Sequence, residues 1–527
     1  MAAFNRLIAS AAAGLLARPR LLAPVMGGLA ALGFEPLHIW PLTLLSMAWL
    51  TVAVAIAPSR KRALATGWLW GVGHFCVGNF WIATAFTYQA EMPAWLGMVG
   101  VFLLSLYLAV YPALATLGAW HARRRPLALV LAFAGCWTIS EWLRSWVFTG
   151  FAWNPTGVAL LGPHDGQGLA MLTRWIGVYG LSGVLVLLAG LLLAISRSRR
   201  GALAAGALVA ALAPMLVTGT IAAPKGWMPF TLVQPNIPQE QIADPTTYED
   251  QFQRVARQSV PDRRGQKRLV LWPESGVPDY LHEGYPRYFY EENTYAGDPA
   301  LARRRIGAVA GPGALVLTGA NDLVMQGDAI IGARNVVSVI DAGGALRGSY
   351  AKAHLVPYGE YLPMRSLLEP LGLSRLVAGT LDFLPGPGPG TIDLGAYGKA
   401  GVQICYEIVF SGEVVDRAAR PDFIFNPTND GWFGRWGPPQ HLAQARLRAI
   451  EEGLPVLRAT TNGISAVIDA DGIVRGTIAR NVEGRIDGLV PPPHEPTLFA
   501  RAGNMLALGF AAILLALSLL VLRRARG

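Results

Sequence analysis

The chain has 527 residues, 53% of them hydrophobic and 15% charged, a balance too apolar for an ordinary soluble protein. Its formal net charge is +10, but five short clusters hold 15 of the 44 Lys and Arg and no acidic residue, leaving 29 against 34 Asp and Glu elsewhere. The positive excess is therefore a matter of topology and gives no reason to expect nucleic acid as a partner.

From about residue 8 to 223 the apolar residues form long runs. A helix needs roughly 20 apolar residues to cross about 30 Å of hydrocarbon. By that measure seven candidate spans lie ahead of the globular part, at about 20–34, 40–57, 64–87, 94–119, 126–148, 170–195 and 201–222, the first of them short. An eighth lies at 503–522. Arg6, Arg18 and Arg20 precede the first span, and Arg60, Lys61 and Arg62 follow the second. Arg123 to Arg125 follow the fourth, Arg197, Arg199 and Arg200 the sixth, and Arg523, Arg524 and Arg526 the eighth. The loops "FEPLHIW" and "TYQAEMP" carry no Lys or Arg. Every alternate loop is thus basic, which predicts both termini in the cytoplasm and the 227–490 region on the opposite face. Unbroken alternation favours a retained first helix over a cleaved signal peptide. Glu141 and Arg144, near the outer end of the fifth span, are expected to pair one turn apart. Trp146 and Trp153 suit an interfacial aromatic belt. The predicted organisation is a membrane domain over 1–223, a globular domain over 227–490 and a final span over 503–522.

In the globular part, strands are read at 230–234, 268–274, 314–319, 335–341, 401–407, 422–427 and 464–469. Most are Val/Ile/Leu-rich without clean alternation, as for strands covered on both faces. A helical pattern is clearest at 438–453. Strands interleaved with helices predict a layered α/β domain.

Of the three cysteines, Cys76 and Cys136 lie in apolar runs and read as core residues. Cys405 instead ends the strand "GVQIC" and is followed at once by Tyr406 and Glu407. One cysteine in an extracytoplasmic domain forms no internal disulfide. A thiol needs a base or a depressed pKa to act as a nucleophile. Glu274, ending "LVLWPE", is a candidate proton acceptor, and Lys352 a candidate to stabilise a thiolate and an oxyanion. Glu360, eight residues on, would hold the lysine or assist proton transfer. Spacing alone does not show convergence; a buried cysteine, a surface salt bridge and a helix-capping carboxylate remain open readings.

The segments "LWPESGVP", "KAHLVPYGEYLP", "ICYEI" and "TNDGWFG" resemble the signatures of the nitrilase superfamily. With seven spans before that domain and one after, and with "EWLRSWVFTGFAW" and "QHLAQARLRAIE", nearly the full chain resembles the apolipoprotein N-acyltransferase family. The resemblance implies an α-β-β-α sandwich beside about eight spans, with Glu274 as general base, Lys352 at the oxyanion and Cys405 as nucleophile. It implies supporting roles for Glu360 and Glu407; Tyr406 is a further supporting candidate, and Trp153, Tyr358, Leu367, Leu371, Asn429 and Trp432 are candidate substrate contacts. No metal or cofactor is implied. The implied partners are a phospholipid acyl donor, a diacylglyceryl-modified apolipoprotein acceptor and the bilayer, with the enzyme a monomer of the bacterial inner membrane facing the periplasm. Family members often carry Lys-Trp soon after "IPQ", where this chain has Ile242 and Ala243. Leu367, Leu368, Leu371, Leu376 and Phe383 form a candidate apolar arm facing lipid, and the aromatic stretch 278–295 a candidate lid. Two other readings are a membrane-anchored hydrolase of small amides or nitriles, and a transporter with an external sensing domain.

Overall fold

The computed structural model describes residues 18–88, 93–195, 199–219, 221–327, 329–368, 370 and 382–524. The chain divides into a helical unit, residues 1–83, 94–218 and 502–527, and an α/β unit, residues 84–93 and 219–501.

Among the described residues of the helical unit, five helices are long and apolar enough to cross a membrane: Trp95–Trp120, Pro126–Trp146, Leu169–Ala194, Arg199–Leu216 and Met505–Arg524. A shorter apolar helix spans Trp40–Ile56. Two expected spans take a different form. The first is a 13-residue helix, Pro19–Ala31, which at 1.5 Å per residue is only about 20 Å long. The third is an α-helix over Arg60–Gly78 followed by a 3-10 helix over Phe80–Tyr88. Helices here meet through small residues, which let backbones approach where no solvent drives association. A Cβ at Gly27 would lie 1.9 Å from the Trp70 carbonyl oxygen, and one at Gly73 1.9 Å from that of Pro24. Ser518 ties the C-terminal helix to Pro126–Trp146 by donating to the Ala128 carbonyl at 2.7 Å.

Glu141 and Arg144 do not pair with each other. Glu141 Oε1 accepts from Trp137 Nε1 at 3.0 Å and from the Thr156 N–H at 2.8 Å. Arg144 Nη1 donates to the carbonyls of Phe151 and Trp153 at 2.8 and 2.9 Å. Both side chains thus anchor the 151–156 segment, whose backbone groups need partners away from water.

The α/β unit is built on two six-stranded sheets. The first uses β1 (Pro229–Gln234), β2 (Arg268–Leu271), β3 (Ala314–Gln326), β4 (Ala329–Asp341), β5 (Leu346–Ala351) and, from the second half of the chain, β12 (Gly484–Leu489) in the order β12-β1-β2-β3-β4-β5. The second contains β6 (Gly390–Asp393), β7 (Lys399–Val402), β8 (Phe423–Thr428), β9 (Val456–Thr460), β10 (Ser465–Ile468) and β11 (Val474–Ile478) in the order β11-β10-β9-β8-β7-β6. In each sheet three central strands run parallel, β1-β2-β3 and β7-β8-β9, with antiparallel pairs outside. The sheets face each other across one core in which Phe230, Leu232, Leu271 and Val339 meet Val402, Phe425 and Leu457. Helices α1 (Tyr248–Ser259) and α2 (Pro299–Ala310) cover the outer face of the first sheet through Phe252, Val255 and Ile306. Helix α3 (Gly437–Glu452) packs on β9 and β10 of the second. Pro438 lies in its first turn, and Gly453, at φ +64°, closes it in the left-handed conformation. The layers are therefore helix, sheet, sheet, helix.

Five strands were not anticipated: β5, β6, β9, β11 and β12. Strand β4 also begins earlier, at Ala329. Of the candidate arm, Leu371 and Leu376 lie outside the described residues. Leu367 is 61% exposed. Phe383 belongs to the α/β unit, its N–H donating to the Glu360 carbonyl at 3.1 Å. The 278–295 stretch is fastened to the same unit by His282 Nδ1 on Asp322 at 2.9 Å, with Tyr295 N–H on Asp279 at 2.7 Å inside the stretch.

Candidate active site

Glu274, Lys352 and Cys405 each follow a strand by no more than three residues: β2 ends at Leu271, β5 at Ala351 and β7 at Val402. Strand ends are where open α/β sheets assemble sites, because the following loops are free to vary. All three side chains are buried, Glu274 7%, Lys352 1% and Cys405 5% exposed. Lys352 Nζ lies 2.8 Å from Glu360 Oε1 and 3.6 Å from Glu274 Oε1. Asn335 Nδ2 donates to Glu274 Oε1 at 2.6 Å and to Glu360 Oε1 at 3.4 Å. The backbone N–H of Asn429 donates to Glu274 Oε2 at 2.8 Å and also faces the Cys405 thiol. The three expected groups and Glu360 therefore form one cluster.

The charges in that cluster set its chemistry. Burial pushes the Glu274 carboxyl up, and the like charge of Glu360 adds to this against the opposing pull of Lys352. Burial alone would lower Lys352, but the two carboxylates outweigh it and hold the ammonium well above its usual value. Burial, then Glu274, pushes the Cys405 thiol well up. Lys352, whose charge is shared with Glu360 and Glu274, opposes that push. A thiol pushed toward its protonated form sits beside a carboxylate whose proton affinity is also raised, which suits proton transfer coupled to attack on a carbonyl.

Cys405 opens a 3-10 helix over Cys405–Val409 and has φ +51°, a left-handed conformation that a side chain adopts at a cost of about 1–3 kcal/mol. The bend is held by Glu407, 2% exposed. Its Oε2 accepts the Ile404 N–H at 2.7 Å, while Oε1 accepts Tyr350 OH at 2.8 Å and the N–H groups of Ala353 and His354 at 2.7 and 3.1 Å. One carboxylate therefore clamps the lysine loop to the cysteine bend. Burial raises Glu407 to about 7.

The other expected residues fall in several places. Tyr406 is buried, its ring edge-on to Phe410 at 5.1 Å. Asn429 Nδ2 donates to Gln239 Oε1 at 2.8 Å. Trp432 lies edge-on to Tyr88 at 5.6 Å, within the α/β unit. Tyr358, at φ +63°, is 38% exposed. Trp153 belongs to the helical unit, where it is 1% exposed and packs on Trp81 at 4.8 Å.

Sequence reading passed over Asn335, Tyr350 and a fully buried set behind the cysteine: Asp430, His441 and Arg458, each 0% exposed. Arg458 Nη2 donates to Asp430 at 2.8 and 2.9 Å and lies 3.0 Å from His441 Nδ1. A lone arginine inside the apolar run "VLRAT" was the available signal.

Residues 26–191 match the family described as apolipoprotein N-acyltransferase N-terminal domain, and residues 231–491 match carbon-nitrogen hydrolase. An apolipoprotein N-acyltransferase from Rhodopseudomonas palustris is 34% identical over 95% of this chain and 94% of its own length. One from Bradyrhizobium diazoefficiens is 35% identical over 100% of this chain and 99% of its own. A solved carbon-nitrogen hydrolase from Helicobacter pylori aligns with a TM-score of 0.36 at 15% identity, covering 50% of this chain and 88% of that one. Two matched domains in sequence and full-length identity above 30% place the chain in the apolipoprotein N-acyltransferase family.

Proposed function

We propose that the protein transfers a fatty acyl chain from a phospholipid to the α-amine of the N-terminal diacylglyceryl-cysteine of an apolipoprotein, through a thioester on Cys405. The observation that carries this reading is a buried thiol at a left-handed bend, sharing the Asn429 N–H with Glu274, whose other oxygen lies 3.6 Å from Lys352 Nζ. Glu274 takes the thiol proton as sulfur attacks the ester carbonyl. The oxyanion is stabilised by Lys352 and the Tyr406 N–H. Collapse breaks the ester C–O bond, and the lysophospholipid leaves with the proton returned by Glu274. The lipoprotein amine then attacks the thioester, the C–S bond breaks, an amide forms and the sulfur regains a proton. Splitting the reaction in two lets two bulky lipids use one site in turn.

The proposed organisation is seven crossings within 1–223, an extracytoplasmic catalytic domain over 227–490 and an eighth crossing over 503–522. The enzyme is a monomer in the bacterial inner membrane with the catalytic domain in the periplasm. The apolar helices support a membrane setting, which suits the substrates. At about 0.8 kcal/mol per buried CH₂, extracting a long acyl chain costs on the order of 10 kcal/mol, a cost that a site at the bilayer avoids. The reading is tested by incubating the protein with acyl-labelled phospholipid and mapping the label by mass spectrometry. Label on Cys405 that moves to a diacylglyceryl-peptide amine supports it. No label, or rapid turnover of small amides without an acyl adduct, sinks it.

A further inference from the structure

His441 lies on α3 and is fully buried, yet it touches the cysteine bend directly: its Nε2 is 3.1 Å from the Cys405 carbonyl oxygen. A carbonyl oxygen only accepts, so the Nε2 nitrogen carries the hydrogen. At the other edge of the ring, Nδ1 faces Asp430 Oδ1 at 3.0 Å and Arg458 Nη2 at 3.0 Å. Burial, and next to it the Arg458 guanidinium, lowers His441 to about 4 against the pull of Asp430, and in either charge state Nε2 keeps the hydrogen it gives to the Cys405 carbonyl. Arg458 is itself fixed by its pair with Asp430 and by Thr428 Oγ1 at 3.2 Å. A buried ion pair thus holds the far edge of the imidazole, and the imidazole sets the direction of one peptide.

We propose that His441 is a positioning residue for the oxyanion donor. In a trans peptide the C=O and the next N–H point in opposite directions. Holding the Cys405 carbonyl on His441 turns the Tyr406 N–H to the other side, where the oxyanion develops as sulfur adds to an acyl carbon. The same bond helps keep Cys405 at φ +51°. This rests on Cys405 being the acyl-carrying nucleophile, as proposed above.

The test compares two reactions of Cys405 in the purified full-length protein: acylation by p-nitrophenyl acetate, which passes through an oxyanion, and alkylation by iodoacetamide, which does not. The amide nitrogen of Gln reaches the position of imidazole Nε2, whereas that of Asn reaches only Nδ1. His441→Asn should slow acylation about 100-fold, the effect of losing one oxyanion donor, with alkylation changed less than about threefold. His441→Gln should recover most of the acylation rate. Equal loss of both reactions in both variants, or unchanged acylation in His441→Asn, overturns the proposal. If wild-type Cys405 takes no acyl group from phospholipid but the ester contrast persists, the lipid-transfer reading falls and the role of His441 stands.

Discussion

Four donors fix the two oxygens of Glu407, one hydroxyl and three backbone N–H groups, and none of the four is a cation. Burial raises its carboxyl from 4.5 to about 7, so its protonated form is the one favoured by folding. A raised folded-state value means stability that is complete below about pH 4.5 and is lost as pH rises through about 7. The full swing is roughly 3 kcal/mol, at about 1.4 kcal/mol for each tenfold change in proton affinity. Glu452 is raised to about 7 as well, so the wild-type profile sums both groups. Glu407→Gln should therefore lower thermal stability at every pH, through mismatched hydrogen bonds, while flattening the fall between pH 5 and 8. Melting in detergent across that range checks it, and parallel wild-type and variant curves would refute the assignment. At the same scale, Lys352 and Cys405 were legible as reactive types at strand ends. The direction in which the Cys405 thiol is pushed was not, because it depends on its burial and on where Glu274 and Lys352 lie in space.

Elements differ in how plainly they announce themselves. The central strands β1, β2, β3, β7 and β8 could be read from their apolar runs because both faces are covered. Of the five unanticipated strands, β5, β6, β11 and β12 are the four sheet edges. Their sequences, "LRGSYA", "GTID", "VRGTI" and "GRIDGL", mix glycine and charge, as edges do when pairing with other chains must be avoided. The fifth, β9, is central and fully buried, but Arg458 interrupts its short apolar run. Helix α3, read at 438–453, spans Gly437–Glu452. Its polar residues Gln440, His441, Gln444, Arg446, Arg448, Glu451 and Glu452 look like a solvated face but are all buried. Partners remote in sequence make this tolerable: Ser411, for example, donates to Glu451 at 2.9 Å. In the helical unit, glycine positions make a sharp forecast. Gly73→Ala would place a methyl 1.9 Å from the Pro24 carbonyl oxygen, and should destabilise by about 1–3 kcal/mol as the helices part. Gly509→Ala, where nothing lies within 4 Å, should be neutral or stabilise by up to about 1 kcal/mol through helix propensity. Melting of both variants in detergent decides it; equal effects would count against close packing at Gly73.

Over the whole molecule, basic clusters alternate with loops that lack Lys and Arg, so the topology can be tested without reference to the reaction. In a background with Cys76, Cys136 and Cys405 replaced by Ala, Glu283→Cys should react with a membrane-impermeant maleimide in intact spheroplasts. Lys61→Cys should react only after permeabilisation, and the reverse pattern would invert the orientation. The apolar helices follow from composition, whereas the clusters that join distant segments needed three dimensions. The push of burial on the Cys405 thiol, toward its protonated form, has a consequence for the chain's survival. Peroxides and disulfides attack sulfur that has already lost its proton. Burial and the nearby Glu274 charge, which favour the protonated thiol at Cys405, therefore slow that attack.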